Sequence, residues 1–133
     1  MRALLDVNVL IALFDAGQIH SDKARNWWRS PDRAGWASCP LTQNGFVRII
    51  SNPGYERPVP VRVAMAALAD QIAATDHQFW PDDISITDAG LFDADFILGP
   101  NLITDVYLLG LAVKNGGLLV TFDRGLPLRA VRG

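Results

Sequence analysis

The chain reads as an α/β protein, a three-layer α/β/α sandwich around a mostly parallel central sheet, and three observations lead there. Short apolar runs, Ala3-Leu4-Leu5 and Leu118-Leu119-Val120-Thr121-Phe122, have the length and make-up of strands buried on both faces. Stretches of helical period alternate with the strand-like runs, as when helices cross between parallel strands. Asp6 and Asp123 close the two apolar runs, and Asp105 opens the helical stretch just before the second. Open parallel sheets place ligands outside the carboxyl ends of their strands, so acids there face a crevice rather than the core. Gathered together, they would repel one another unless a hard divalent cation sat among them.

In order, a first strand is expected over about residues 2–6, then a helix carrying Val9, Leu10, Leu13 and Phe14. Ser21 is placed to cap a second helix with Ala24, Trp27 and Trp28 on one face, ended by Pro31. Gly35-Trp36-Ala37-Ser38 makes a second strand, and Pro40 through Ile50 a third helix that stops at Ser51-Asn52-Pro53-Gly54. Turn residues fill the segment to Pro60. A helix over 61–75 follows, with an apolar stripe of Val61, Met65, Leu68 and Ile72, and Gln78-Phe79-Trp80 is a short strand. Ser85-Ile86-Thr87-Asp88 has the form of a capping box and predicts a helix toward Leu98, stopped by Gly99-Pro100. Thr104 caps a helix over 105–114 that closes at Asn115-Gly116, and 117–123 is the last strand. No repeat, linker or low-complexity tract interrupts the chain, so one domain over 1–133 is expected.

Composition narrows the function classes. Half the residues are hydrophobic and a fifth charged, an ordinary globular balance at 133 residues. The single cysteine, Cys39, excludes an internal disulfide and a thiolate metal site, and it suits a reducing cytoplasm. No apolar stretch nears the roughly 20 residues of a membrane span. Asp6 breaks the apolar start too early for a signal peptide. Net charge is −2, yet thirteen of the fourteen acids are Asp and ten of the twelve bases are Arg. Aspartate suits caps, turns and cation ligation, and the arginine fork suits phosphate.

The acids sit where chemistry is possible. Asp6-Val7-Asn8 falls at a strand-to-helix turn, which holds a carboxylate and an amide together. Asp105 lies in a first helical turn, where orphan N–H groups and the dipole favour negative charge. Thr121 and Asp123, two apart, would share one side of a strand, with the Thr121 hydroxyl free to hold a carboxylate. Arg48 and Arg124 are candidates for phosphate contact. Trp27 and Trp28, beside Arg25 and Arg29, could stack on unpaired bases or face the core. His20 and His77 lack partner ligands at metal spacing.

The segments Leu4-Leu5-Asp6-Val7-Asn8-Val9-Leu10, Cys39-Pro40-Leu41-Thr42-Gln43-Asn44-Gly45-Phe46-Val47-Arg48, Ile103-Thr104-Asp105 and Val120-Thr121-Phe122-Asp123 resemble, in order and spacing, a PIN-domain ribonuclease. More narrowly, they resemble the VapC toxins of toxin–antitoxin pairs, and the likeness covers almost the whole chain. The resemblance implies an α/β/α fold, a Mg²⁺ site that Mn²⁺ can also fill, and endonucleolytic cleavage of RNA. It implies in-line attack of water leaving a 5′-phosphate and a 3′-hydroxyl, a homodimer, and inhibition by a cognate VapB-type antitoxin. Matched position by position, Asp6 and Asp105 take the place of the principal metal ligands and Asp123 of a further acid. Asn8 and Thr121 match supporting polar positions. Position 43 departs, because the family generally carries a carboxylate there and this chain has Gln43. An amide brings no charge, so a weaker cation site is expected, with Asp88, Asp93 or Asp95 as candidate substitutes.

Two other classes use acids at strand ends. A haloacid-dehalogenase-like phosphatase needs a second acid two residues after the first, where Asn8 stands. A receiver-like regulatory module wants a late-strand lysine, whereas the only lysines are Lys23 and Lys114. A third alternative, a PIN protein that binds RNA without cutting it, rests on Gln43.

Overall fold

In a computed structural model that describes all 133 residues, four parallel strands form one sheet. They are β1 (Ala3–Leu5), β2 (Trp36–Ser38), β3 (His77–Phe79) and β4 (Leu118–Val120), in spatial order β3-β2-β1-β4. Five helices cover it: α1 (Val7–Phe14), α2 (Ser21–Trp28), α3 (Pro40–Ile50), α4 (Val61–Ala74) and α5 (Ile103–Lys114). The chain steps outward from β1 to β2 to β3, then returns through α5 to the far side of β1. Where the order reverses, between β1 and β4, the connections leave the sheet in opposite directions and open a crevice.

Alternation along the strands makes the layers, because successive side chains point to opposite faces. Ala3, Leu5 and Trp36 enter a core with Val9, Leu10, Phe46, Ile50 and Ala64 of α1, α3 and α4. Leu4 and Ala37 enter the opposite core with Leu108, Leu111 and Ala112 of α5. Leu4 and Leu5 are wholly buried, and burying each such side chain contributes about 1.5–3 kcal/mol. A one-residue slip would exchange their faces, so the register that sets Asp6 at the strand's end is strongly held. Gly117 lets β4 enter closely: a Cβ there would lie 2.5 Å from the Arg2 carbonyl oxygen. No helix is long and apolar enough to cross a membrane.

Several expected elements differ. Residues 85–98 form no α-helix, only turns, a bridge from Phe92 to Val131 and a 3₁₀ turn at Ala94–Phe96. Short polar side chains there bond to nearby backbone instead of leaving it to a helix. Ser85 Oγ accepts from the Thr87 N–H, Asp88 from Gly90 and Asp93 from Asp95. Ser21 does not cap α2; it is the first helical residue, His20 is the cap position, and the buried Ser21 hydroxyl has no partner. Thr104 likewise lies inside α5, whose start follows a 3₁₀ turn at Pro100–Leu102. Strand β3 sits one residue earlier than expected, with Trp80 beyond it and buried. β4 ends at Val120, so Thr121 and Asp123 stand on a turn and not on a strand.

Candidate metal centre

Asp6 is the N-cap of α1, in the extended conformation that a cap requires. Its Oδ1 accepts the Val7 N–H at 2.7 Å and its Oδ2 accepts the Thr121 hydroxyl at 2.7 Å. Both oxygens are thus oriented, and the residue is only 6 % exposed. Thr121 gains its position from the turn after β4, where its Oγ1 accepts the Asp123 N–H at 3.0 Å. Asn8 ties that turn down: its Oδ1 accepts the Phe122 N–H at 3.3 Å and its Nδ2 reaches Thr121 Oγ1 at 3.5 Å. Asp105 comes from the first turn of α5, which no side chain caps. One carboxylate oxygen from each of Asp6, Asp105 and Asp123 lies within 4.8 Å of the others. Burial falls across the three, from buried Asp6 through half-buried Asp105 to exposed Asp123, so the cluster opens to solvent on one side.

Its electrostatics are unbalanced. No lysine or arginine forms an ion pair with any of the three. Burial first, then the charge of Asp6, then hydrogen bonding and charge at Asp123 push Asp105 up to about pH 7 for half-titration. Burial also raises Asp6, against the opposing hydrogen bonds from Thr121 and Val7. Three converging hard oxygen donors, none in an ion pair and Asp6 oriented by two hydrogen bonds, fit a divalent cation such as Mg²⁺ or Mn²⁺.

Other candidates fall elsewhere. The Gln43 amide donates to Ser38 Oγ at 3.0 Å, and Ser38 in turn meets His77 Nε2 at 2.7 Å, so the side chain is held at the end of β2 and adds no charge there. Asp88 and Asp93 are occupied by local turns, and Asp93 pairs with Arg132. They do not join the cluster. Arg48 is exposed in the last turn of α3, a helix that runs back from the carboxyl edge for about 16 Å. Arg124 does stand beside Asp123, lining a cleft of about 240 Å³. Trp27 lines that cleft, while Trp28 lines a separate apolar cavity of about 520 Å³ with Leu10, Phe46 and Leu68, and the Arg33 guanidinium lies over both rings, 5.5 Å and 4.1 Å from their centroids. His20 and Lys23 also line the smaller cleft. Their only sequence signal was the spacing His20, Lys23, Ala24, Trp27, one side of a helix.

Comparison with known proteins identifies the family. The PIN domain family profile matches residues 3–132. Ribonuclease VapC44 of Mycobacterium tuberculosis is 47 % identical over 133 residues, covering 100 % of this chain and 94 % of the relative. Ribonuclease VapC39 of the same organism is 40 % identical over 134 residues, covering 100 % and 96 %. The crystal structure of M. tuberculosis VapC20, described as a sarcin-ricin loop cleaving toxin, superposes with a TM-score of 0.67 over 98 % of this chain and 96 % of that one. At 13 % identity, that likeness speaks for the fold alone. The phosphatase alternative lacks its acid, since Asn8 is bonded into the β4 turn, and the receiver alternative loses Lys114 to an ion pair with Asp83. Fold, strand-end acids and full-length relatives converge: this chain belongs to the PIN-domain family, with the VapC ribonucleases as its relatives.

Proposed function

We propose that this protein is a metal-dependent endoribonuclease toxin that cuts single-stranded or loop RNA, of tRNA or another RNA of translation. In this reading Asp6, Asp105 and Asp123 hold Mg²⁺, or Mn²⁺ in its place, and residues 1–133 work as one domain. The observation that carries it is the convergence of the three carboxylates, none of them ion-paired to a lysine or arginine, in a chain whose relatives are named ribonucleases. A cation held there supplies Lewis-acid stabilisation of the charge that develops on a phosphodiester during in-line attack by water. Thr121 and the Val7 N–H fix the Asp6 oxygens before any ligand arrives, so no reorganisation is needed at the moment of reaction. Asn8 holds the turn that carries Thr121 and Asp123. The exposed side of the cluster, at Asp123, admits the RNA backbone.

The VapC relatives support a cognate VapB-type antitoxin as the cytoplasmic inhibitor. Exposed Val61 and Met65, one turn apart on α4, offer apolar surface for a homodimer.

Purified protein incubated with total RNA tests the reading. Discrete fragments bearing 5′-phosphate and 3′-hydroxyl ends are expected with Mg²⁺ and not with EDTA. Equal cleavage in EDTA, or ends carrying a 2′,3′-cyclic phosphate, would overturn it. Intact RNA that is nevertheless retained by the protein would favour the binding-only alternative, to which the uncharged Gln43 gives some footing.

A further inference from the structure

The cleft of about 240 Å³ beside the acids has a chemistry of its own. One wall is α2 and its cap, presenting His20, Lys23 and Trp27; the other is the turn after β4, presenting Phe122, Asp123 and Arg124. The His20 ring lies on Phe122, centroids 4.5 Å apart and planes 19° apart. Lys23 and Arg124 are exposed and neither is in an ion pair. Asp123 belongs to both the cleft and the acidic cluster, so the two sites are continuous.

Flat rings that accept a base face, with cations at the rim for phosphate, are what unpaired nucleic acid requires. We infer that this cleft is a nucleoside subsite, which seats the nucleotide next to the cleaved phosphodiester of single-stranded RNA. The base packs against His20, Phe122 and Trp27, and the flanking phosphates meet Lys23 and Arg124. This rests on the ribonuclease reading for the cleaved bond, but the binding itself does not need the metal. Base-paired RNA keeps its base faces stacked, so the subsite selects unpaired substrate. An acidic peptide would use the two cations and leave the rings without a role, which is why RNA is the occupant chosen here.

The test pairs binding with turnover for wild type and the His20→Ala/Lys23→Ala double variant, two exposed positions whose loss leaves the core untouched. Binding is read by anisotropy of a fluorescein-labelled single-stranded oligoribonucleotide of about twelve nucleotides, in EDTA so that it stays whole. The double variant is expected to bind about tenfold more weakly, with KM raised similarly and kcat within about twofold. Arg124→Gln is expected to lower the salt dependence of binding by about one phosphate contact. An unchanged Kd, or a fall in kcat at constant KM, would overturn the subsite. Loss of affinity for a co-expressed VapB-type antitoxin with RNA binding intact would overturn it too, by making the cleft a peptide surface. If wild type fails to cut with Mg²⁺ or Mn²⁺, the ribonuclease reading falls by itself, and the comparison of Kd values still decides the cleft.

Discussion

Helix α1 carries an aspartate at each end, and the two live in opposite circumstances. Asp15, the C-terminal cap, sits against the negative end of the helix dipole, yet the protein supplies everything it needs. Arg57 Nε lies 3.0 Å from one oxygen, the Tyr55 hydroxyl donates to the other at 2.5 Å, and the Gly17 N–H donates at 2.9 Å. Arg57 first and Tyr55 next hold its pKa down to about 2. Asp6, the N-terminal cap, has the favourable end of the dipole and two hydrogen bonds, and its pKa is still raised by burial, with Asp123 adding to the rise. Asp105 beside it is pushed up to about 7. An acid with a protein-supplied cation is structural. A group of acids without one keeps its mutual repulsion, which in the proposed reading a cation from outside would relieve.

The largest effect expected from this contrast is on cleavage. Asp6→Ala and Asp105→Ala should each lower Mg²⁺-dependent RNA cutting by more than about a hundredfold, beyond the cost of losing an outer partner of a metal ligand. Asp105→Ala should melt no lower than wild type in EDTA, because its removal relieves repulsion, whereas in Asp6→Ala that relief is offset by about 1 kcal/mol for the lost cap of α1. Asp15→Ala should do the reverse, cutting at the wild-type rate and melting lower. Wild-type cutting by both cluster variants would break the assignment. Next in size, Thr121→Val should weaken Mg²⁺ affinity by about ten- to a hundredfold in a calorimetric titration, since Asp6 Oδ2 loses its orienting donor. An unaltered isotherm would remove Thr121 from the site.

Acid should separate the two ends of α1 as well. Asp15 is depressed, so its stabilisation is complete above the unfolded value near 3.8 and is lost as pH falls through about 2. The melting difference between wild type and Asp15→Asn should therefore close over that window. Asp105 is raised, so in EDTA its penalty is fully present above about 7 and lifts as pH falls toward 3.8. Melting of wild type, but not of Asp105→Asn, should rise on that descent; parallel curves would contradict the crowding of the acids. The smallest effect belongs to Gln43→Glu. With residue 43 held by Ser38, Mg²⁺ affinity should stay within about fivefold, the scale of a screened charge. Tightening well past that would show the side chain swinging into the cluster.

How much of this could be read in advance depended on distance along the chain. Leu4-Leu5-Asp6 and Leu118-Leu119-Val120 were legible because an apolar strand between polar turns declares itself locally, and acids at or just past the ends of such strands inherit a known edge of the sheet, although β4 stops three residues short of Asp123. The helix expected over 85–98 was not real. Its Ser, Thr and Asp side chains suit a helix cap and a succession of turns equally, and only the bridge from Phe92 to Val131 decided between them. The turn that turns Thr121 toward Asp6 was hidden for the same reason. Gln43 announced itself by its position after β2, but the bond from its amide to Ser38 joins side chains that no local pattern couples. His20 had only its helical spacing to Lys23 and Trp27 as a sign, since its partner Phe122 lies about a hundred residues later and only the fold joins them.

The most direct measurement is thermal unfolding of wild type and Asp105→Asn, each in EDTA and in Mn²⁺ at about a hundred times Kd. The account expects wild type to gain about 2.7 kcal/mol from the ion, and Asp105→Asn to start higher in EDTA and gain little. An equal gain in both proteins would mean that the ion binds elsewhere, and that the three carboxylates meet for some other reason.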